Sequence, residues 1–95
     1  MASSRESKQF LNISATTAAF TLRGGRYGID ITASWGGGSV TLQHLAADGS
    51  TWITVVPAFT IENYSVADLQ VGDYRFLVVT STAIYIDLQS IAVPV

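Results

Sequence analysis

From Phe10 onward, apolar and polar residues alternate with a period of two rather than with the spacing of a helix. The clearest run is Arg26–Trp35. There Tyr27, Ile29, Ile31, Ala33 and Trp35 fall on one face, and Gly28, Asp30, Thr32 and Ser34 on the other. This is the pattern of a half-buried antiparallel strand, with one face on a core and the other towards water. The same rule predicts strands over Phe10–Ser14, Ala18–Leu22, Ser39–Ala46, Thr51–Val56, Phe59–Val66, Tyr74–Thr80 and Ala83–Gln89, with a last edge piece over Ile91–Val95. Arg23-Gly24-Gly25 reads as a turn and Gly36-Gly37-Gly38 as a hairpin. Ala47-Asp48-Gly49-Ser50 reads as a second hairpin, because Asp-Gly suits the positive dihedrals of a two-residue turn. Pro57 ends its strand for want of a ladder donor, and Ala67–Asp73 reads as a corner.

No stretch repeats with helical period, and the turn signals recur about every 8–12 residues. The expected class is therefore all-β: a Greek-key or jelly-roll-like antiparallel β-sandwich of about seven to nine strands. Its expected core includes Leu22, Tyr27, Ile29, Ile31, Leu42 and Phe76, and also Ile53, Val55 and Ile61.

One motif at a strand start carries a mechanism. Leu69-Gln70-Val71-Gly72-Asp73-Tyr74 has the form Leu-x-x-Gly-x-Tyr. In a tyrosine corner the phenol bonds back to the backbone a few residues upstream. Leu69, Gly72 and Tyr74 are the expected corner: the glycine permits the tight crossing, and the bond satisfies a polar group that would otherwise be buried alone. Leu22-Arg23-Gly24-Gly25-Arg26-Tyr27 has the same spacing 47 residues earlier. Ile29 with Phe76, Ile31 with Val78 and Ser34 with Ser81 continue that offset. It marks either a pseudo-repeat of two half-sandwiches or two corners of one type.

Composition narrows the function. A chain of 95 residues makes one domain, and a domain this size buries only about 60–65% of its unfolded surface. That leaves little area for a deep cleft. Charged residues make up 13%, against about 25% in typical soluble domains; ten Ser and ten Thr supply the polarity instead. Such an exterior suits cover by a partner. Five basic against seven acidic residues argue against nucleic acid as that partner. No apolar run approaches the ~20 residues of a membrane span. Without cysteine there is no disulfide, thiol catalysis or cysteine-based zinc site. Residues 1–9 have no hydrophobic segment of a secretory leader and read as a flexible arm, one that could order against a neighbouring subunit. Residues 10–95 form the sandwich.

Candidate chemistry is sparse. His44 is the single histidine; as a catalytic base it would need a carboxylate behind it and a serine before it, and no Gly-x-Ser-x-Gly elbow is present. The carboxylates make no Asp-x-Asp-x-Asp-Gly calcium run. Arg23-Gly24-Gly25-Arg26 is better explained as a turn than as an RNA-binding box. Gly36-Gly37-Gly38 lacks the lysine and helix of a phosphate loop. The expectation is a protein without catalytic residues, cofactor, metal or small-molecule substrate. Trp35 continues a core face. Trp52, Tyr64 and Tyr85 are the candidate interface aromatics, a residue type enriched at binding hot spots. Lys8, the only lysine available to blunt a sheet edge, joins them as a candidate interface residue.

The block Phe20–Asp30, then Val40-Thr41-Leu42-Gln43, Asp48-Gly49-Ser50-Thr51-Trp52 and Leu69-x-x-Gly72-x-Tyr74-Arg75-Phe76, resembles small virion proteins of tailed bacteriophages over roughly residues 18–80. The resemblance implies a non-enzymatic structural role as a capsid decoration (cement) protein on the virion surface, assembled in the host cytoplasm. It implies as partners the major capsid protein and the chain itself, as a dimer or trimer. A tail component, or a carbohydrate- or receptor-binding module using the same aromatics, is the alternative.

Overall fold

A computed structural model describes residues 7–91. They form eight strands: β1 (Ser7–Ile13), β2 (Phe20–Leu22), β3 (Gly25–Ser34), β4 (Ser39–Leu45), β5 (Trp52–Thr54), β6 (Asn63–Leu69), β7 (Gly72–Val79) and β8 (Thr82–Ser90). Two four-stranded sheets stack face to face, in the orders β1-β8-β3-β6 and β2-β7-β4-β5. Every strand pairing is antiparallel. The expected all-β sandwich is present, and its strand order is that of a jelly roll.

That order follows from one long ribbon. β4 pairs with β5, β3 with β6, β2 with β7 and β1 with β8, as in a single hairpin whose tip lies between β4 and β5. Rolling the ribbon places alternate pairs in opposite sheets. The β3–β8 and β4–β7 pairings then close each sheet. Asp48 builds the tip: its Oδ1 accepts from the Ser50 and Thr51 amides, both at 2.9 Å, and its Oδ2 from the Thr51 hydroxyl at 2.6 Å. Gly49 sits at φ 78°, where a side chain would be strained. The second predicted hairpin is therefore real, but its loop is longer than two residues, with Ala46 bonded to Thr51 across it.

The first predicted hairpin is corrected. β3 and β4 lie in different sheets, so the glycine run 36–38 is an arch over the end of the sandwich. There the Gly38 backbone packs against the Val79 carbonyl, and Ser81 Oγ donates to the Trp35 carbonyl at 3.3 Å. The glycines told that the chain turns, not that it returns to the same sheet.

Both Leu-x-x-Gly-x-Tyr segments are tyrosine corners. Tyr27 Oη donates to the Arg23 carbonyl at 2.5 Å, and Tyr74 Oη to the Gln70 carbonyl at 2.6 Å. Burial, and then the neighbouring Tyr27, push the Tyr74 phenol above its ordinary value. The two corners belong to a structural repeat. Leu22 pairs with Gly72 and Leu69 with Gly25; Phe20 pairs with Tyr74 and Ala67 with Tyr27. Phe76 faces Leu42 across β4, as Ile29 faces Leu88 across β8. An internal two-fold thus exchanges β2 with β6, β3 with β7, β4 with β8 and β5 with β1.

Between the sheets lie Tyr27, Ile29, Ile31, Leu42, Tyr74, Phe76 and Ile86, all buried. Phe10, Phe20 and Phe76 close one side with ring centroids 5.3–5.8 Å apart. The other side is more open. Ala67 stands in the register position of Phe20, and Ile53 and Val55 remain exposed beside β6 instead of entering the core. Ile61 is also exposed, because the strand predicted over Phe59–Val66 begins only at Asn63, as β6, and runs on to Leu69. Phe59 instead exchanges two backbone bonds with Val40, and Val56, Phe59 and Leu88 join the core. Trp35 packs at the core's margin, its indole N–H donating to Glu62 at 3.1 Å.

Ser7, Lys8 and Gln9, expected in the arm, are paired with β8. Residues 1–6 of that arm, and 92–95 of the predicted final strand, lie outside the described residues.

Two measurements check these bonds. Tyr27→Phe and Tyr74→Phe each strand a corner carbonyl, so each lowers stability by about 1–3 kcal/mol in urea titration, with the fold retained; a neutral result at both would mean the corners do not hold the crossings. Asp48 is lowered from 3.8 to about 2, first by the Thr51 hydroxyl and then by the two amides. A carboxyl depressed in the folded state contributes stability that is complete above its unfolded value and lost as pH falls through about 2. Carboxyl-carbon NMR should find that midpoint, and Thr51→Val should raise it.

Candidate functional site

Alternation along β3 and β8 fixes what the first sheet shows to the outside. With Tyr27, Ile29 and Ile31 inward, Gly28, Asp30 and Thr32 face out; with Ile84, Ile86 and Leu88 inward, Tyr85, Asp87 and Gln89 face out. Register then lines these residues up in rows across the sheet. One row runs Ser7, Gln89, Gly28, Val66. The next runs Gln9, Asp87, Asp30, Tyr64. A third carries Tyr85 beside Thr32.

Among these polar residues the face also exposes large apolar and aromatic side chains. Leu11 is 66% exposed, Tyr64 57%, Val66 47% and Tyr85 47%. At its centre Asp30 and Asp87 stand directly opposite each other on the two middle strands. Opposed residues on one sheet face have Cβ atoms about 4.5–5.5 Å apart, and like charges so placed repel. The Gln89 amide donates to both Asp87 oxygens at 3.0 Å. One groove, of about 180 Å³, lies over Gly28 between Tyr64, Asp30, Asp87, Gln89 and Ile91. A second, of about 170 Å³, shares both carboxylates and is walled by Leu11 and Tyr85.

Glycine makes the first groove. A Cβ on Gly28 would fall 2.7 Å from Tyr64 Oη and 3.0 Å from its ring, so only a bare backbone lets the ring lie down there. At the edge of the face, Arg26 Nε donates to Asp68 at 3.0 Å. The hydrogen bond first and then the opposite charge raise Arg26 and lower Asp68. Both are solvent-exposed, so the pair adds little stability.

On the outer face of the second sheet several side chains cover one another, although Val79 is 47% exposed there. Arg75 lies 4.5 Å over the Trp52 ring and donates to Gln43 Oε1 at 2.8 Å. Thr21 donates to Asp73 at 2.8 Å. Thr41 and Gln43 are only 8% exposed on this outward face.

The residues named from sequence therefore separate. Tyr64 and Tyr85 share the first sheet's outer face, on opposite sides of the carboxylate pair. Trp52 is half-buried on the other sheet beneath Arg75. Lys8 is on edge strand β1, opposite Leu88. Leu69, Gly72 and Tyr74 form their corner. His44 lies against Tyr74 at 4.9 Å between ring centroids, with Nε2 3.1 Å from the Gln70 amide nitrogen. It lines a groove of about 300 Å³ on the open β5–β6 side with Ile53, Val55, Asp68 and Leu69. Among the described residues no three His, Asp or Glu side chains converge as metal ligands would. Sequence reasoning missed Leu11, Val66, Gly28 and the Asp30–Asp87 pairing. The isolated glycine inside a strand was the one available signal, since such a residue marks a close approach.

Gly28→Ala tests the ring's seat. The backbone tolerates alanine there, so global stability should change by less than about 1 kcal/mol, while Tyr64 must swing outward. Its aromatic NMR shifts should move towards those of an unpacked tyrosine; unchanged shifts would show that the ring does not rest on Gly28.

Comparison of the chain with protein-family models, with curated proteins and with solved structures gave no match.

Proposed function

We propose that the chain is a structural, non-catalytic virion protein of a tailed bacteriophage. It decorates the head, binding assembled coat subunits and a second copy of itself, and the outer face of the β1-β8-β3-β6 sheet is its adhesive surface. The exposed apolar and tyrosine side chains spread across that face carry the reading: Leu11, Tyr64, Val66 and Tyr85 are exposed there, against Val79 alone among the large apolar side chains facing out from β7 and β4. Exposed aromatic and apolar side chains gathered on one face are a feature of interaction sites. The low charge supports it too: covering Ser, Thr and Tyr costs less desolvation than covering Lys and Glu. The resemblance over residues 18–80 supports the virion setting. Jelly rolls serve both capsid and lectin domains, so the fold favours neither reading by itself.

A second reading has its own support. Tyr64 and Tyr85 flank a carboxylate pair in two shallow grooves, an arrangement that also suits stacking and hydroxyl recognition in a carbohydrate- or receptor-binding module.

Mass spectrometry of purified phage particles should find the chain in fixed proportion to the coat protein, and its absence would end the proposal. A Tyr64→Ala, Tyr85→Ala variant should fold normally and co-sediment poorly with coat shells. Retained shell binding by that variant would move the adhesive surface elsewhere. Binding to a glycan array that is lost in the same variant would favour the second reading.

A further inference from the structure

An open sheet exposes a row of backbone donors and acceptors along each edge, on which another strand can pair. Three of the four edge strands in this sandwich are blunted. β2 and β5 are only three residues long. β1 breaks register between Phe10 and Ile13, holds Asn12 at φ 56° and carries Lys8. β6 is different. It runs for seven residues, pairs with β3 in unbroken register, and has no glycine, proline or lysine. Its outward backbone groups follow from the ladder. Ile91 N–H donates to the Arg26 carbonyl at 2.9 Å, so Arg26, Gly28 and Asp30 turn their backbone groups towards β8. Tyr27, Ile29 and Ile31 then turn theirs to Ala67, Ser65 and Asn63. The groups of Tyr64, Val66 and Asp68 are left pointing away from the sheet. The Tyr64 amide agrees with this, donating to the Asn63 side chain at 2.8 Å instead of to β3.

We infer that β6 is the edge through which the chain binds a second copy of itself, pairing antiparallel with its twin about a two-fold axis at Val66. The strand is complementary to itself in that register. Val66 meets Val66 of the second copy and Tyr64 meets its Asp68, so every outward-turned residue faces another. Moving the axis to Tyr64 or Asp68 would lose part of that pairing. Charge is compatible too. A residue on a two-fold axis meets itself, and Val66 is neutral. Asp68, the one charged residue of the strand, is already paired with Arg26 at 3.0 Å. The two copies of Asp68 stand about 13 Å apart along the strands, beyond the screening length of about 8 Å. The flank around the edge is apolar. Of the large apolar side chains exposed among the described residues, Ile53, Val55, Ile61, Tyr64, Val66 and Val71 lie on or beside β5 and β6. Ile53 and Val55 line the groove at the Leu69 end of β6, and Ile61 precedes its other end. The two-fold reverses the strand, so Ile61 of one copy arrives beside Ile53 and Val55 of the other and covers the open side of the sandwich. This deepens the proposed function, resting on its self-association, and makes the outer faces of two copies continuous.

The test is sedimentation velocity and amide hydrogen exchange of the full chain, each over a range of concentrations. A dimer is expected, with the Val66 and Asp68 amides protected in it and exposed on dilution. Ser65 and Ala67, bonded to β3, should stay protected throughout. Val66→Lys puts two ammonium groups at the axis and should raise the dissociation constant at least about tenfold, with circular dichroism unchanged. Val66→Asp should do the same, and mixing the two variants should restore a dimer. Tyr85→Ala, on the same face but away from the edge, should leave the dimer as it was. Should the Val66 variants fail to fold, the exchange pattern of the unaltered chain decides. A chain monomeric at every concentration would overturn the inference, whether a segment of its own or a coat strand then protects the edge. So would a dimer whose Val66 and Asp68 amides exchange as fast as in the monomer, or one that Tyr85→Ala dissociates, since the contact would then lie on the face. The virion role is judged separately. A chain absent from particles but dimeric through β6 keeps this inference and loses that role; a chain present in particles but monomeric in solution does the reverse.

Discussion

Two phenol-to-carbonyl hydrogen bonds govern this molecule. Each joins a tyrosine near the start of a central strand to the backbone four residues earlier, where the chain crosses from one sheet to the other. A crossing must turn tightly and still satisfy its backbone, and the tyrosine does both while putting a large ring in the core. It also sets the phase. With Tyr27 inward, Ile29 and Ile31 must follow it, and Gly28, Asp30 and Thr32 must face out. A slip of one residue would reverse every side chain on the strand. The outer face thus takes its composition from the corner rather than from any local preference.

The internal two-fold shows how one scaffold acquires two different surfaces. The two sheets share register nearly residue for residue, so the backbone does not distinguish them. What differs is what fills the outward positions. Arg75, Trp52 and Gln43 satisfy one another on one sheet. On the other, Gly28 and Gln89 stand at the places of Arg75 and Gln43, Tyr64 lies over Gly28, and in the next row Asp30 and Asp87 replace Leu77 and Thr41. The gap between the sheets is uneven for the same reason. Phe20 fills it beside β7, whereas Ala67 leaves it open beside β3, and His44, Ile53 and Val55 line the resulting groove.

Much of this could be read from the chain because strand alternation is a local property. The inward faces of β3, β4 and β7 and both corners were visible in the spacing of Tyr27, Leu42, Phe76 and the two glycine–tyrosine pairs. Non-local facts were not. Glycines 36–38 specify a reversal, and whether it closes a hairpin or arches to another sheet depends on which strands later compete for β3. Ile53 and Val55 have the alternation of core residues and face the gap between sheets, yet too little lies opposite to bury them. Tyr64 and Tyr85 stood out as aromatics, but the pairing of Asp30 with Asp87 joins strands separated by most of the chain. Trp52 looked free because sequence gives no sign that Arg75 lies across it.

On the proposed reading, adhesion and discrimination would come from different parts of one face. Leu11, Tyr85, Tyr64 and Val66 would gain from almost any cover, since burial of apolar area is non-directional. Such a surface alone would bind indiscriminately. The carboxylates change that. A partner that covered Asp30 and Asp87 without a cation would leave two charges buried and unpaired, a penalty of several kcal/mol per ion. A partner that brings a cation avoids the penalty. The pair would therefore act chiefly by penalising wrong partners. If the proposed adhesive role holds, a body with so few charges would be selective because two of them stand on the face to be covered.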